Sequence, residues 1–218
     1  MILYGSTLSP FVRKVAAYAA EKGISMELKP TGIDDPDPAF RAASPFRKMP
    51  ALVDGDYALA DSSAIIHYLE ALHPSPELIP SDPRERGRTI WFDEFADTIF
   101  AACGAKIFFN RVVGPLILKR GGDESVAAAA ECNELPPLLD YMEGIIPDSG
   151  YLVGDRLTLA DIAIASPFCN LSHLGIVVDE SRHPRLKAYL DAILARPSFA
   201  QHLAREAAFM ERIQAGSN

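Results

Sequence analysis

Cysteine is scarce in this chain: Cys103, Cys132 and Cys169 are the only three, and none precedes Cys103. An odd count without metal-ligand spacing excludes a disulfide framework and a zinc ribbon, and it points to reduced thiols in the cytoplasm. It also disfavours disulfide chemistry by the protein's own N-terminal sulfur, because there is none. Positive charge is short as well. With 21 Lys and Arg against 29 Asp and Glu the formal net charge is -8, and a surface of that sign repels phosphate backbones, so nucleic acid is not an expected partner. Long apolar runs are missing too. The longest stretch free of Lys, Arg, Asp and Glu is "IAIASPFCNLSHLGIVV", whose Pro, Asn, Ser and His suit a buried helix and its exit better than a membrane span. No basic start followed by an apolar core marks a secretory leader. What remains, 49% apolar and 23% charged residues, is the composition of a globular protein with a substantial core.

The pattern along the chain changes once. Residues 2–5 read as a strand, and residues 10–22 read as a helix with Val12, Val15, Ala16 and Ala19 on one face and Gly23 as its stop. "SMELKP" alternates like a second strand. "PALVDGDYALADSSAIIHYLEALHP" reads strand, turn, strand, helix, with Asp54-Gly55 as the hairpin signal. Four prolines in "PSPELIPSDP" mark a boundary; we place domains at 1–76 and 85–218 with 77–84 as linker. Beyond it only helical patterns occur, including Phe92, Phe95, Ile99 and Cys103 at helical spacing. The expected fold is therefore an α/β domain, β-α-β then β-β-α, followed by an all-α bundle.

The chemistry is concentrated at "STLSPF", where the first strand hands over to the first helix. Ser9 precedes Pro10, a cap followed by a favoured first helical residue. A helix start carries unpaired N–H groups and a partial positive charge, so it stabilises an anion, and a serine hydroxyl there can donate one more bond. A thiolate is the useful anion. A free thiol of pKa ~8.5 is only a few per cent ionised at neutral pH, and lowering that value by ~2, worth about 2.7 kcal/mol, makes the thiolate the major form. With no cysteine nearby, the sulfur must arrive on a substrate. Ser6 and Thr7 are rival hydroxyls on the same loop, and Tyr4 is a more distant one.

Five features in order, "LYGSTLSPFVRKV", "KMPAL", "ADSSAIIHYLE", Lys48 beside the proline motif and "GDRLTLADIAIAS", resemble the glutathione S-transferases in their serine-type form, and the resemblance runs over nearly the whole length, as far as "HPRLKAYLDAILARPSF". The resemblance implies a thioredoxin-like N-terminal domain with a mixed four-stranded sheet, a helical C-terminal domain, a symmetric homodimer, no resident cofactor, and glutathione as co-substrate. It assigns the activating hydroxyl to Ser9. It implies a cis Met49–Pro50 bond that lets the Met49 backbone pair with the cysteinyl part of glutathione. It gives the glycyl carboxylate to Lys48, shared with Arg47, and the γ-glutamyl ammonium and carboxylate to Asp61 and Ser62. The family usually has Glu or Gln where Asp61 stands, so that contact is expected to be looser. Ser62 or Ser63 is also a natural helix cap. Thr158 and Asp161 form a capping box with a Leu157–Ile162 staple, a folding element with no part in catalysis, and Pro167 is expected to kink or end the helix that follows.

A hydrophobic electrophile would lie against the first long helix, where Phe100, Phe108, Phe109, Arg111 and Val112 are candidates; a core or interdomain stripe is the competing reading of each. Two other functions compete. One is a non-catalytic scaffold or ligand carrier of the same fold, which the retained Ser9 and Asp61-Ser62 disfavour. The other is a glutathione-dependent isomerase of the maleylacetoacetate type, from whose serine-serine-cysteine run "STLS" departs.

Overall fold

The computed structural model describes residues 1–32 and 35–215. Strands β1 (Ile2–Tyr4), β2 (Glu27–Lys29), β3 (Ala51–Asp54) and β4 (Tyr57–Ala60) form one mixed sheet in the order β2-β1-β3-β4. β1 runs parallel to β2 and antiparallel to β3, and β3 pairs antiparallel with β4. The parallel pair is joined across one face by helix α1 (Pro10–Glu21), and the hairpin closes at Gly55, whose φ of 61° suits a two-residue turn. Alternation along β1 separates two layers. Leu3, with Leu52 of β3, packs with Val12 and Val15 of α1 and with Ile65, Ile66 and Leu69 of α3 (Ser62–Leu72). Tyr4, with Ala51, packs on Phe40 of α2 (Pro38–Ala43). The element order is the one the pattern predicts, and the sheet is the thioredoxin-like arrangement that the resemblance implies.

β1 stops one residue short of the expected end because Gly5 turns the chain at a φ of 145°. A Cβ there would lie 2.5 Å from Val12 Cγ2, so only glycine lets the loop pass this close to α1.

The rest of the chain is helical. α4 (Pro83–Glu94) begins inside the 77–84 stretch and runs through a π-helical segment, Phe95–Phe100, into α5 (Ala101–Phe108) and a second one, Phe109–Ile117. The Thr98 hydroxyl donates to the Glu94 carbonyl at 2.6 Å, and Pro115 lies in the second segment; each takes the backbone out of regular i→i−4 bonding. Of the described residues, Pro83–Ile117 is the one stretch long and apolar enough to cross a bilayer, which differs from the stretch singled out by sequence. Phe92, Phe95, Phe100 and Ile107 of it are buried in the core. α6 (Glu124–Ala129) and α7 (Leu135–Ile145) follow, and then α8 (Leu159–His173), α9 (Pro184–Leu194) and α10 (Pro197–Ala215).

α8 is the central helix, with every residue from Leu159 to Leu171 buried. It continues past Pro167, which therefore does not end it. At its start the Asp161 carboxylate accepts from the Thr158 N–H at 2.9 Å, closing the expected capping box, and from the Leu152 N–H at 2.9 Å.

Candidate functional site

The β1–α1 turn lies where two cavities meet. One is polar, about 750 Å³, and the other apolar, about 820 Å³; Ser9, Phe11, Met49, Asp97 and Thr98 line both. Ser9 holds the N-cap position of α1 with its hydroxyl free of any capping bond. The rival hydroxyls are placed differently. Ser6 lines only the apolar cavity. Thr7 is buried, lines neither, and bonds Glu206 through its side chain. Tyr4 is packed against Phe40 in the core beneath the sheet.

The polar cavity is walled by Lys48, Met49, Asp61 and Ser62. The loop carrying Lys48 is closed by Ser44, whose hydroxyl donates to the Lys48 carbonyl at 2.7 Å and accepts from its N–H at 2.9 Å. The Met49–Pro50 bond is cis, and Pro50 itself is buried and off the lining. The cap of α3 is Asp61, one residue before the serines expected to hold it. Its carboxylate accepts from the Ala64 N–H at 3.0 Å, and its φ is 83°, rare for a residue with a side chain. Ser62 and Ser63 are thereby free to point elsewhere. Ser62 donates to Asp97 at 3.2 Å, and Ser63 donates to Asp93 at 2.7 Å.

Asp97 is the residue that sequence reasoning missed. It and Asp93 share the buried Lys14 ammonium, at 2.6 and 2.7 Å. Burial pushes the Asp97 carboxyl above its ordinary range, with Lys14 opposing and the nearby Asp93 charge adding to the rise. "DEFAD" places the two carboxylates four residues apart on one helical face, a signal that reads equally well as a solvated stripe.

In the apolar cavity Phe108 and Phe109 are brought to the wall, beside Ala101, Gly104 and Ala105. A Cβ at Gly104 would find no atom within 4 Å. Val112 is buried behind the wall with Phe108 and Met210, and Phe100 packs on Phe168 in the core, ring centroids 4.6 Å apart. Arg111 lies off the lining, paired with Glu124 at 2.6 Å and Glu131 at 2.5 Å. Among the described residues lining this cavity there is no Lys, Arg or His, and Asp97 is the one charged group.

Residues 3–77 match the glutathione S-transferase N-terminal domain, and residues 104–197 match the glutathione S-transferase C-terminal domain. The chain belongs to the glutathione S-transferase family. Glutathione S-transferase 3 of Zea mays is 32% identical over 211 residues, covering 93% of this chain and 92% of that protein. A maleylacetoacetate isomerase of Pseudomonas aeruginosa is 31% identical over 204 residues, covering 91% and 92%. Among solved structures, glutathione S-transferase-I bound with lactoylglutathione superposes with a TM-score of 0.82 at 26% identity, covering 93% of this chain and 98% of that one. A glutathione S-transferase of Rhodospirillum rubrum F11 gives 0.82 at 28%, covering 91% and 89%.

Proposed function

We propose that this glutathione S-transferase family member binds glutathione in the polar cavity, ionises its thiol at Ser9, and adds the thiolate to an electrophile held in the apolar cavity. The observation carrying this reading is that Ser9, uncapped at a helix start, lies on the seam between the two cavities. A peptide thiol seated on one side is then within reach of an acceptor on the other. Lys48 takes the glycyl carboxylate, the Met49 backbone pairs with the cysteinyl unit, and Pro50 sets the turn that exposes it. Ser62 and the α3 start take the γ-glutamyl carboxylate. Asp61 and Asp97 face the ammonium, and Asp97 offsets the short reach of Asp61. Phe108 and Phe109 flank the acceptor, while Arg111 and Val112 support the wall from behind.

The test is retention on immobilised glutathione together with conjugation of 1-chloro-2,4-dinitrobenzene. Flow-through with no conjugation rate would leave a scaffold. Acceptor charge separates the isomerase reading. Maleylacetoacetate carries two carboxylates, and among the described residues of the apolar cavity the one charged group to meet them is itself a carboxylate, Asp97. Uncharged enones are expected to be turned over about tenfold more efficiently than their carboxylated analogues, about 1.4 kcal/mol of like-charge repulsion in a partly buried site. Preference for the carboxylated series would instead favour the isomerase.

The chain acts as a cytoplasmic homodimer in this reading. Phe46 is 87% exposed beside the polar cavity. Trp91 of α4, the buried Phe95 that follows it in the π-helical segment and Tyr141 of α7 form an aromatic cluster, with centroids 6.3 and 5.3 Å apart and Trp91 and Tyr141 exposed. Apolar surface of that kind suits an interface. Sedimentation is expected to give a dimer that Phe46→Ser shifts towards monomer; a monomeric parent would remove the proposal.

A further inference from the structure

The turn that carries Ser9 is held from the other half of the molecule. Two carbonyl oxygens flank Ser9, those of Leu8 and Pro10, and each accepts a hydrogen bond from a side chain of α8. Asn170 Nδ2 donates to the Leu8 oxygen at 2.8 Å, and Ser166 Oγ donates to the Pro10 oxygen at 2.7 Å. The two residues are four apart and so project from one face of the helix. Arg13, one turn into α1 and fully buried, ties them together. Its Nη1 donates to Asn170 Oδ1 at 3.0 Å and to the Ser166 carbonyl at 2.7 Å. Its other two nitrogens donate to Glu206 of α10 at 3.0 and 2.7 Å. Glu206 also bonds His173 Nε2 at 2.8 Å and the Thr7 side chain. Burial alone would raise the Glu206 carboxyl, but the His173 bond and the Arg13 charge hold it below its ordinary range.

A peptide group is planar, so holding its oxygen fixes its N–H as well. The plane containing the Leu8 oxygen contains the Ser9 N–H, and fixing it sets the direction in which the Ser9 side chain leaves the backbone. The plane containing the Pro10 oxygen contains the Phe11 N–H. Because Pro10 has none, that is the first free donor of α1. Leu8 lies before the helix, and among the described residues its oxygen has no other partner; the same plane is held at its other edge by the Ser9 N–H, which donates to the Ser6 carbonyl at 2.9 Å, so the Asn170 bond completes a two-point grip on it. A buried Arg–Glu pair contributes little net stability over an apolar filling of the same shape, whereas a closed polar network fixes geometry.

We propose that Asn170 and Ser166, locked by Arg13 and Glu206, are positioning residues for the reaction: they keep the Ser9 hydroxyl and the Phe11 N–H aimed at the glutathione sulfur. The inference rests on the Ser9 reading above.

A double-mutant cycle tests it. Ser9→Ala, Asn170→Ala and the double variant are compared by the pKa of bound glutathione, read from thiolate ultraviolet absorbance against pH, and by kcat and KM for glutathione. Asn170→Ala is expected to raise the bound thiol's pKa by about one and to lower kcat about tenfold at neutral pH, with KM within about twofold. In the Ser9→Ala background it is expected to add almost nothing, because the two act through one group. Equal losses in both backgrounds, or an unmoved thiol pKa in Asn170→Ala, would reduce the network to a structural brace and overturn the inference while leaving Ser9 in place. If Ser9→Ala itself leaves the thiol pKa where it was, the Ser9 reading falls and this inference falls with it. Asn170→Asp, which has the same shape and can still accept from Arg13 but cannot donate to the Leu8 oxygen, runs the same cycle should Asn170→Ala not fold.

Discussion

Ser9→Ala is expected to lower kcat/KM by about a hundredfold at neutral pH while changing the KM for glutathione less than about threefold. In the proposed site the hydroxyl would donate to a charge that exists only once the thiol has ionised, and a hydrogen bond to a charged group contributes about 1.5–3 kcal/mol. Its loss returns the sulfur towards the ~8.5 of a free thiol. The contacts proposed for the tripeptide at Lys48, Met49, Asp61 and Ser62 do not involve this hydroxyl, so only a small change in KM is expected. The defect should also depend on pH in one direction. As pH rises towards the free-thiol value, solvent supplies the thiolate without help and the variant gains on the parent. Rate–pH profiles of the two proteins check both features. Parallel profiles of equal height would take Ser9 out of the reaction.

Asp161→Ala is expected to lower the unfolding free energy by about 4 kcal/mol, read from the urea midpoint. The carboxylate is fully buried, and each oxygen has two partners: Thr158 N–H and hydroxyl at 2.9 and 3.3 Å, Leu152 N–H and Tyr189 hydroxyl at 2.9 and 3.2 Å. Truncation strands two buried backbone N–H groups, at about 1–3 kcal/mol each, and removes the cap interaction of the central helix. That is a large share of a typical domain's ~5–15 kcal/mol. Burial also pushes the Asp161 carboxyl up to about 6, against the pull of its N–H donors. The folded chain then keeps a proton through a window in which the unfolded chain has lost it. This group's contribution to stability therefore falls as pH rises from about 4 to about 6, and that slope is absent in Asp161→Ala. A loss within 1 kcal/mol would mean that α8 starts equally well without its box.

Local rules carried the reading of this chain where the structure obeys them locally. The β-α-β and β-β-α order, the Gly55 hairpin and the capping box depend on alternation, turn chemistry and cap spacing, all of which are visible over a few residues. Periodicity cannot see buried charge, because it assigns a charged residue to the solvent face. Lys14, Asp93 and Asp97 meet from two separate helices, and Arg13 and Glu206 lie far apart along the sequence, so nothing short-range announces them. Regular helical spacing groups Arg111 with Phe108 and Phe109. The i→i+5 bonding of Phe109–Ile117 widens the turn and changes the face that later residues present. The cap of α3 fell one residue early because an aspartate accepts as well as a serine does, and the unusual backbone at Asp61 lies outside any propensity scale.

Because the atoms bracing Leu8 and Pro10 are contributed by α8, the halves of this molecule are not interchangeable cassettes. On the proposed role of Ser9, a hybrid that grafts residues 1–76 onto a foreign helical half would inherit the hydroxyl without its alignment, and would bind the tripeptide while turning it over poorly. Recombination between relatives would then have to exchange the turn and its distant brace together.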